Sequence, residues 1–138
     1  MIILVYLFTI ITIVFHLVAF LWESVFWMKP VVYENIVAGM ATPEGISLQE
    51  HARILEGLFF NQGFYNLFIA LGAIAGLVLF KKGSAVVGKT LICYTNLFAL
   101  GAGLVLAFSS TAYMGAILQA GPALLALIAL YLSSRRDP

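Results

Sequence analysis

Four long apolar runs, separated by polar breaks, organise this chain. The first, residues 2–28, is almost unbroken hydrocarbon and stops at Lys29-Pro30, where a charge meets a residue that cannot continue helical hydrogen bonding. The second run, 53–80, is preceded by Ser47-Leu48-Gln49-Glu50. That is a capping-box pattern, in which Ser47 and Glu50 satisfy free backbone amides reciprocally, so the helix is expected to start ahead of the apolar run. Lys81-Lys82 close it, Gly83-Ser84 turns the chain, and a third run follows at 88–108. Only Ser109-Ser110-Thr111 separates this from the fourth, 112–132. Runs of about 20 apolar residues match the hydrocarbon thickness of a bilayer. The pattern therefore predicts an all-α integral membrane protein, a four-helix bundle forming a single transmembrane domain over residues 1–138. The one longer connection joins spans one and two. It contains the turn or helix-start signal Thr42-Pro43-Glu44-Gly45, and its Val31 to Met40 stretch is either a short interfacial helix or an ordered loop.

Composition agrees, since 63% of the residues are hydrophobic and 9% charged, against about a quarter charged in soluble proteins. At 138 residues the spans leave little chain for a soluble domain. A net charge of +1 provides no basic surface for nucleic acid, so the expected partners are membrane lipid, a small-molecule ligand or a second copy of the chain. Cys93, the sole cysteine, excludes an internal disulfide, a cysteine-based zinc site and an iron–sulfur cluster within one chain. The N-terminal run lacks a basic flank and is longer than a signal-peptide core, so it is expected to be a retained span. Lys81, Lys82, Lys89, Arg135 and Arg136 fall on the side of both termini, against Lys29 and Arg53 opposite. The positive-inside rule then places both termini in the cytoplasm and the longer loop outside, in a plasma membrane of the bacterial inner-membrane type. Gly72 and Gly76 form a GxxxG, and Ala99, Gly101, Ala102 and Gly103 add small residues to span three. Such positions permit close helix approach, within the chain by default, or in a homo-oligomer.

The chemistry-bearing candidates begin with His16 and Glu23, seven residues apart in span one. A charged group at the centre of a span costs about 2.5 to 3.5 kcal/mol on translocon scales, so such residues face protein or water. At about 100° per residue Thr9, His16, Glu23 and Trp27 share one line, with Thr12 about 40° away. His16 and Glu23 are about 10 Å apart along the axis, two stations on one stripe, to be bridged by amides of span two or by a ligand. Trp22 and Trp27 suit an interfacial aromatic belt. In span two, Asn61-Gln62-Gly63-Phe64-Tyr65-Asn66 puts Asn61 and Tyr65 on one face and Gln62 and Asn66 on another. Unpaired amides are costly in hydrocarbon, so both faces are expected to meet other spans or water. Glu56 and His51 are placed near the outer surface. Tyr94, Thr95 and Asn96 make a patch on span three whose hydroxyls can simply bond back to the helix. Gln119-Ala120-Gly121-Pro122 interrupts span four, either as a structural kink or as a broken helix building a site. No P-loop, GxSxG or HExxH accompanies these residues, no metal site is expected, and neither a cofactor nor catalytic residues can be assigned.

Three segments together carry a resemblance: His16 through Glu23 to Trp27 and Pro30; Asn61-Gln62-Gly63-Phe64-Tyr65-Asn66; and Gln119-Ala120-Gly121-Pro122-Ala123. They resemble the DUF1304 family of small integral membrane proteins, in which a histidine precedes a glutamate by seven positions, NQGxYN opens the second span and a Q-G-x-P-A segment lies in the last. The chain departs at Phe15, where the family often has an acidic residue, at Leu67, where it has glycine, and at Gly121, one position displaced. The resemblance implies a compact four-helix membrane fold and no particular reaction. Three functions remain open: binding of a small molecule or lipid, with or without chemistry on it; proton- or cation-coupled transport by an oligomer; and an accessory role in a membrane complex. The first is favoured, because the polar groups exceed what helix packing needs, with a ligand site drawn from His16, Glu23, Trp27, Asn61, Gln62, Tyr65, Asn66 and Gln119.

Overall fold

A computed structural model describes residues 1–41 and 43–135. These residues form α1 Ile2–Phe20, a π-helical segment Leu21–Val25, α2 Pro30–Val37, α3 Leu48–Lys81, α4 Ala85–Ser109 and α5 Tyr113–Ser134, with no strand among them. Four helices are long and apolar enough to cross a membrane: α1 continued through the π segment, α3, α4 and α5. The helical class and the four apolar spans are therefore as the sequence pattern predicts.

Local chemistry sets the helix ends. The Ser47 hydroxyl accepts the Glu50 amide at 3.2 Å and starts α3 at Leu48. The reciprocal half of the box, from the Glu50 carboxylate, does not form among the described residues. At its other end Gly83 adopts φ 92°, and the Ser84 amide reaches back to the Leu79 carbonyl at 3.0 Å. This is a glycine-dependent helix stop. Pro30 opens α2 with Lys29 as its N-cap, a position where the missing amide costs nothing. The stretch after span one is thus a helix over eight residues rather than a loop. Of the predicted turn at 42–45, Thr42 lies outside the described residues, as does Arg136 of the basic C-terminal pair.

Each of the four long helices has two principal neighbours: α1 and α4 both pack against α3 and α5, and meet each other far less. Small residues make this possible. A side chain at Gly76 would lie 3.0 Å from the Ile92 backbone nitrogen, and one at Gly72 3.2 Å from Thr95, so the GxxxG is used between α3 and α4. Gly103 brings α4 onto Ala120 and Ala116 of α5. Near the termini the core is Val5, Ile13, Ala70, Ala73, Leu77, Ile92, Ala129 and Leu130. At the opposite end, called here the α2 end, Val32, Tyr33 and Val37 of α2 pack with Trp27, Ala52 and Phe59. Helix α5 runs through Pro122, so of the two alternatives at this position the broken helix does not form. Proline deletes one amide, and the surrounding packed turns keep the helix continuous.

Candidate functional site

One face of α1 is polar and buried, and it carries Thr9, Thr12 and His16. The first two are met by α4: Asn96 Nδ2 donates to Thr9 Oγ1 at 3.3 Å and to the Ile92 carbonyl at 2.8 Å. The Thr12 hydroxyl lies 3.1 Å from both Asn96 Oδ1 and the Phe8 carbonyl. This cluster is internally satisfied and joins α1 to α4 across the centre. Asn96 was visible in the sequence only as part of a patch on span three; its partners sit 84 and 87 residues away.

One turn on, His16 Nδ1 lies 2.7 Å from Asn66 Oδ1 of α3, while Asn66 Nδ2 donates to Glu23 Oε2 at 2.7 Å. Because the amide nitrogen faces the carboxylate, the amide oxygen must accept, and the imidazole donates through Nδ1. His16 Nε2 is then buried without a protein partner among the described residues. Asn66 thereby spans the axial gap between the two stations of the α1 stripe.

Glu23 reaches this position from the π segment, a wider turn of the kind often found at functional sites. The segment is seated on α3 by the Ser24 hydroxyl, which donates to the Phe60 carbonyl at 2.8 Å. Its close approach depends on Gly63, where a side chain would collide with Ser24. The glycine of the Asn61–Asn66 cluster therefore sets the distance between the carboxylate and the amide.

Toward the α2 end a cavity of about 460 Å³ opens between α1, α3, α4 and α5. Its polar lining is Glu23, Gln62, Asn66, Ser109 and Gln119; Phe15, Ala19, Met40, Leu58, Phe59, Ala102, Val105 and Leu106 form the rest. Glu23 is the one charged side chain among these. Gln119 is only 8% exposed, and its amide makes no protein hydrogen bond among the described residues.

A family model described as "protein of unknown function (DUF1304)" matches residues 10–131. The chain belongs to the DUF1304 family. Neither a curated protein nor a solved structure matches it significantly. The family description assigns no reaction, so the arrangement of side chains is what informs function for this DUF1304 protein.

Of the eight residues expected at a site, Glu23, Gln62, Asn66 and Gln119 line the cavity. His16 stands behind them, through Asn66. Trp27 does not face the cavity: its indole donates to the Ala52 carbonyl at 2.8 Å and stacks on Phe59 at 3.9 Å, supporting a wall residue from behind. It is also buried, so of the expected aromatic belt only Trp22 remains exposed. Asn61 and Tyr65 lie on the outer face of α3. At about 100° per residue they are nearly opposite Gly63, the residue that turns α3 toward α1. Of the two amide faces of span two, expected to meet other spans or water, only that of Gln62 and Asn66 meets other spans within this chain. Thr95 bonds back to the Leu91 carbonyl at 2.8 Å. The apolar walls, Phe15, Phe59, Ala102, Val105 and Leu106, carried no signal in the sequence, because they look like any other lipid-facing residues.

Proposed function

We propose that this protein binds a small molecule or lipid in the cavity at the α2 end of a four-helix membrane bundle whose termini are cytoplasmic. The observation that carries the reading is Gln119: a residue only 8% exposed, in a cavity wall, whose amide makes no protein hydrogen bond among the described residues. That amide is open to the cavity, where a ligand can supply the donor and acceptor that the protein does not. The volume falls in the range of small-molecule sites, which are mostly apolar with a few placed polar groups. Binding is better supported than conduction, because the terminal half of the helix assembly is filled by Val5, Ile13, Leu77, Ile92 and Leu130.

The test is native mass spectrometry of protein released from mild detergent. A stoichiometric adduct is expected on the wild type, and Ala102→Phe, which adds a ring to the cavity wall, should lose it while keeping its helical circular dichroism. Adduct-free wild type across several mild detergents would count against binding.

A further inference from the structure

The cavity is chemically lopsided. Its lining holds one carboxylate, three amides and a hydroxyl, but no lysine, arginine or histidine. Asn66 has both ends of its amide engaged, with His16 and with Glu23 Oε2. The other carboxylate oxygen, Glu23 Oε1, has no protein hydrogen bond among the described residues, and no lysine or arginine there pairs with Glu23. A carboxylate in an apolar wall is costly unless an opposite charge and hydrogen bonds compensate it. One amide donor is half of that compensation.

Resting on the pocket reading above, we infer that the ligand is an amphiphilic amine, whose ammonium group pairs with Glu23 and whose apolar body lies against Phe15 and Phe59. An ammonium brings three donors and no acceptor. Glu23 Oε1 takes one, and the carbonyl oxygens of Gln62 and Gln119 are the other acceptors on the same lining. Phe15 adds an aromatic ring to a site for a cation, a pairing favourable where water is excluded. A ligand with its anionic group at this position would set like charges together in a low dielectric, where repulsion is strong. The shared chemistry, a primary ammonium on an apolar body, is offered both by a free lipophilic amine and by an ethanolamine lipid headgroup.

The experiment is a charge series at constant chain length. Protein in phosphatidylcholine nanodiscs is titrated with decylamine, decanol and decanoate, and thermal unfolding is followed. Glu23→Gln is run in parallel; its side-chain oxygen still accepts from Asn66, so the fold is preserved. Decylamine should raise the melting temperature of the wild type well beyond decanol, and decanoate should not raise it. Glu23→Gln should weaken the amine about 10- to 100-fold, the weight of a charged hydrogen bond, and leave decanol unchanged. Ala102→Phe, which leaves the carboxylate in place, should abolish the amine effect. Decanol or decanoate acting as strongly as the amine overturns the amine class and leaves the pocket reading standing. No effect from any of the three overturns both. A second arm replaces part of the phosphatidylcholine with phosphatidylethanolamine: stabilisation there that Glu23→Gln removes identifies the lipid as the source of the amine. A decylamine effect with no such lipid dependence identifies a free amine.

Discussion

At position 66 a carboxamide satisfies two unlike groups at once, its oxygen taking the His16 proton and its nitrogen giving one to Glu23, each at 2.7 Å. Neither a hydrocarbon nor a carboxylate side chain can do both. Asn66→Ala is therefore expected to lower stability by about 1 to 3 kcal/mol, the cost of leaving buried polar groups unpaired, measured by reversible unfolding in mixed micelles. Tyr65→Phe and Asn61→Ala, on the outer face of the same helix, should each change it by less than about 0.5 kcal/mol. Equal losses at all three positions would remove the basis for treating Asn66 as the bridge. The seven-residue spacing of His16 and Glu23 made the α1 stripe legible, and the need for a bridge, by a polar side chain of span two or by a ligand, followed from their separation along the axis. Which amide face of α3 would turn inward was not legible from polarity, since Asn61 and Tyr65 look as eligible as Gln62 and Asn66. Gly63 decides it, because only a bare backbone there admits Ser24. A lone glycine among amides gives no hint of that role until its neighbour is known.

Between helices, small residues set the spacing, and two glycines of α4 separate this effect from flexibility alone. A side chain at Gly103 would meet Ala120 at 2.8 Å, whereas one at Gly101 would meet nothing within 4 Å. Gly103→Ala is thus expected to destabilise by about 1 to 3 kcal/mol through overpacking, and Gly101→Ala to be neutral or to stabilise by up to about 1 kcal/mol through helix propensity. The same unfolding assay reads both, and equal effects would mean that the α4–α5 contact is not what Gly103 serves. The four apolar runs and the Ser47 cap were legible because composition and capping are local. The π segment was not, because it arises where Ser24 docks on α3 and Glu23 reaches Asn66, contacts 36 and 43 residues apart in sequence. At Pro122 local propensity left a kink and a break both open, and α5, packed against α1 and α4, continues through it.

For the whole molecule, helix length and charge together support one orientation of the cavity. Helix α3 has 34 residues, about 51 Å at 1.5 Å per residue, well beyond the roughly 30 Å of bilayer hydrocarbon. Its surplus turns are at the α2 end, where Gln49, Glu50, His51, Arg53 and Glu56 lie and where α2 packs beside it. With the hydrocarbon set against the apolar turns that precede Lys81, the proposed bilayer placement puts the cavity near the boundary on that side, not at the midplane. Lys81, Lys82, Lys89 and Arg135 are at the other end, and positive charge is retained in the cytoplasm. On the topology proposed above, the cavity is reached from outside, and the proposed ligand arrives from the outer leaflet or the aqueous phase beyond. Cys93 is exposed, so the test begins from Cys93→Ser. In that background Glu44→Cys, exposed in the connection between α2 and α3, should react with a membrane-impermeant maleimide on intact cells, and Ser84→Cys, in the α3–α4 turn, only after permeabilisation. The reverse pattern would turn the cavity toward the cytoplasm. Labelling of both from outside would mean that α3 does not cross the membrane, and an amine reaching Glu23 would then have no bilayer to leave.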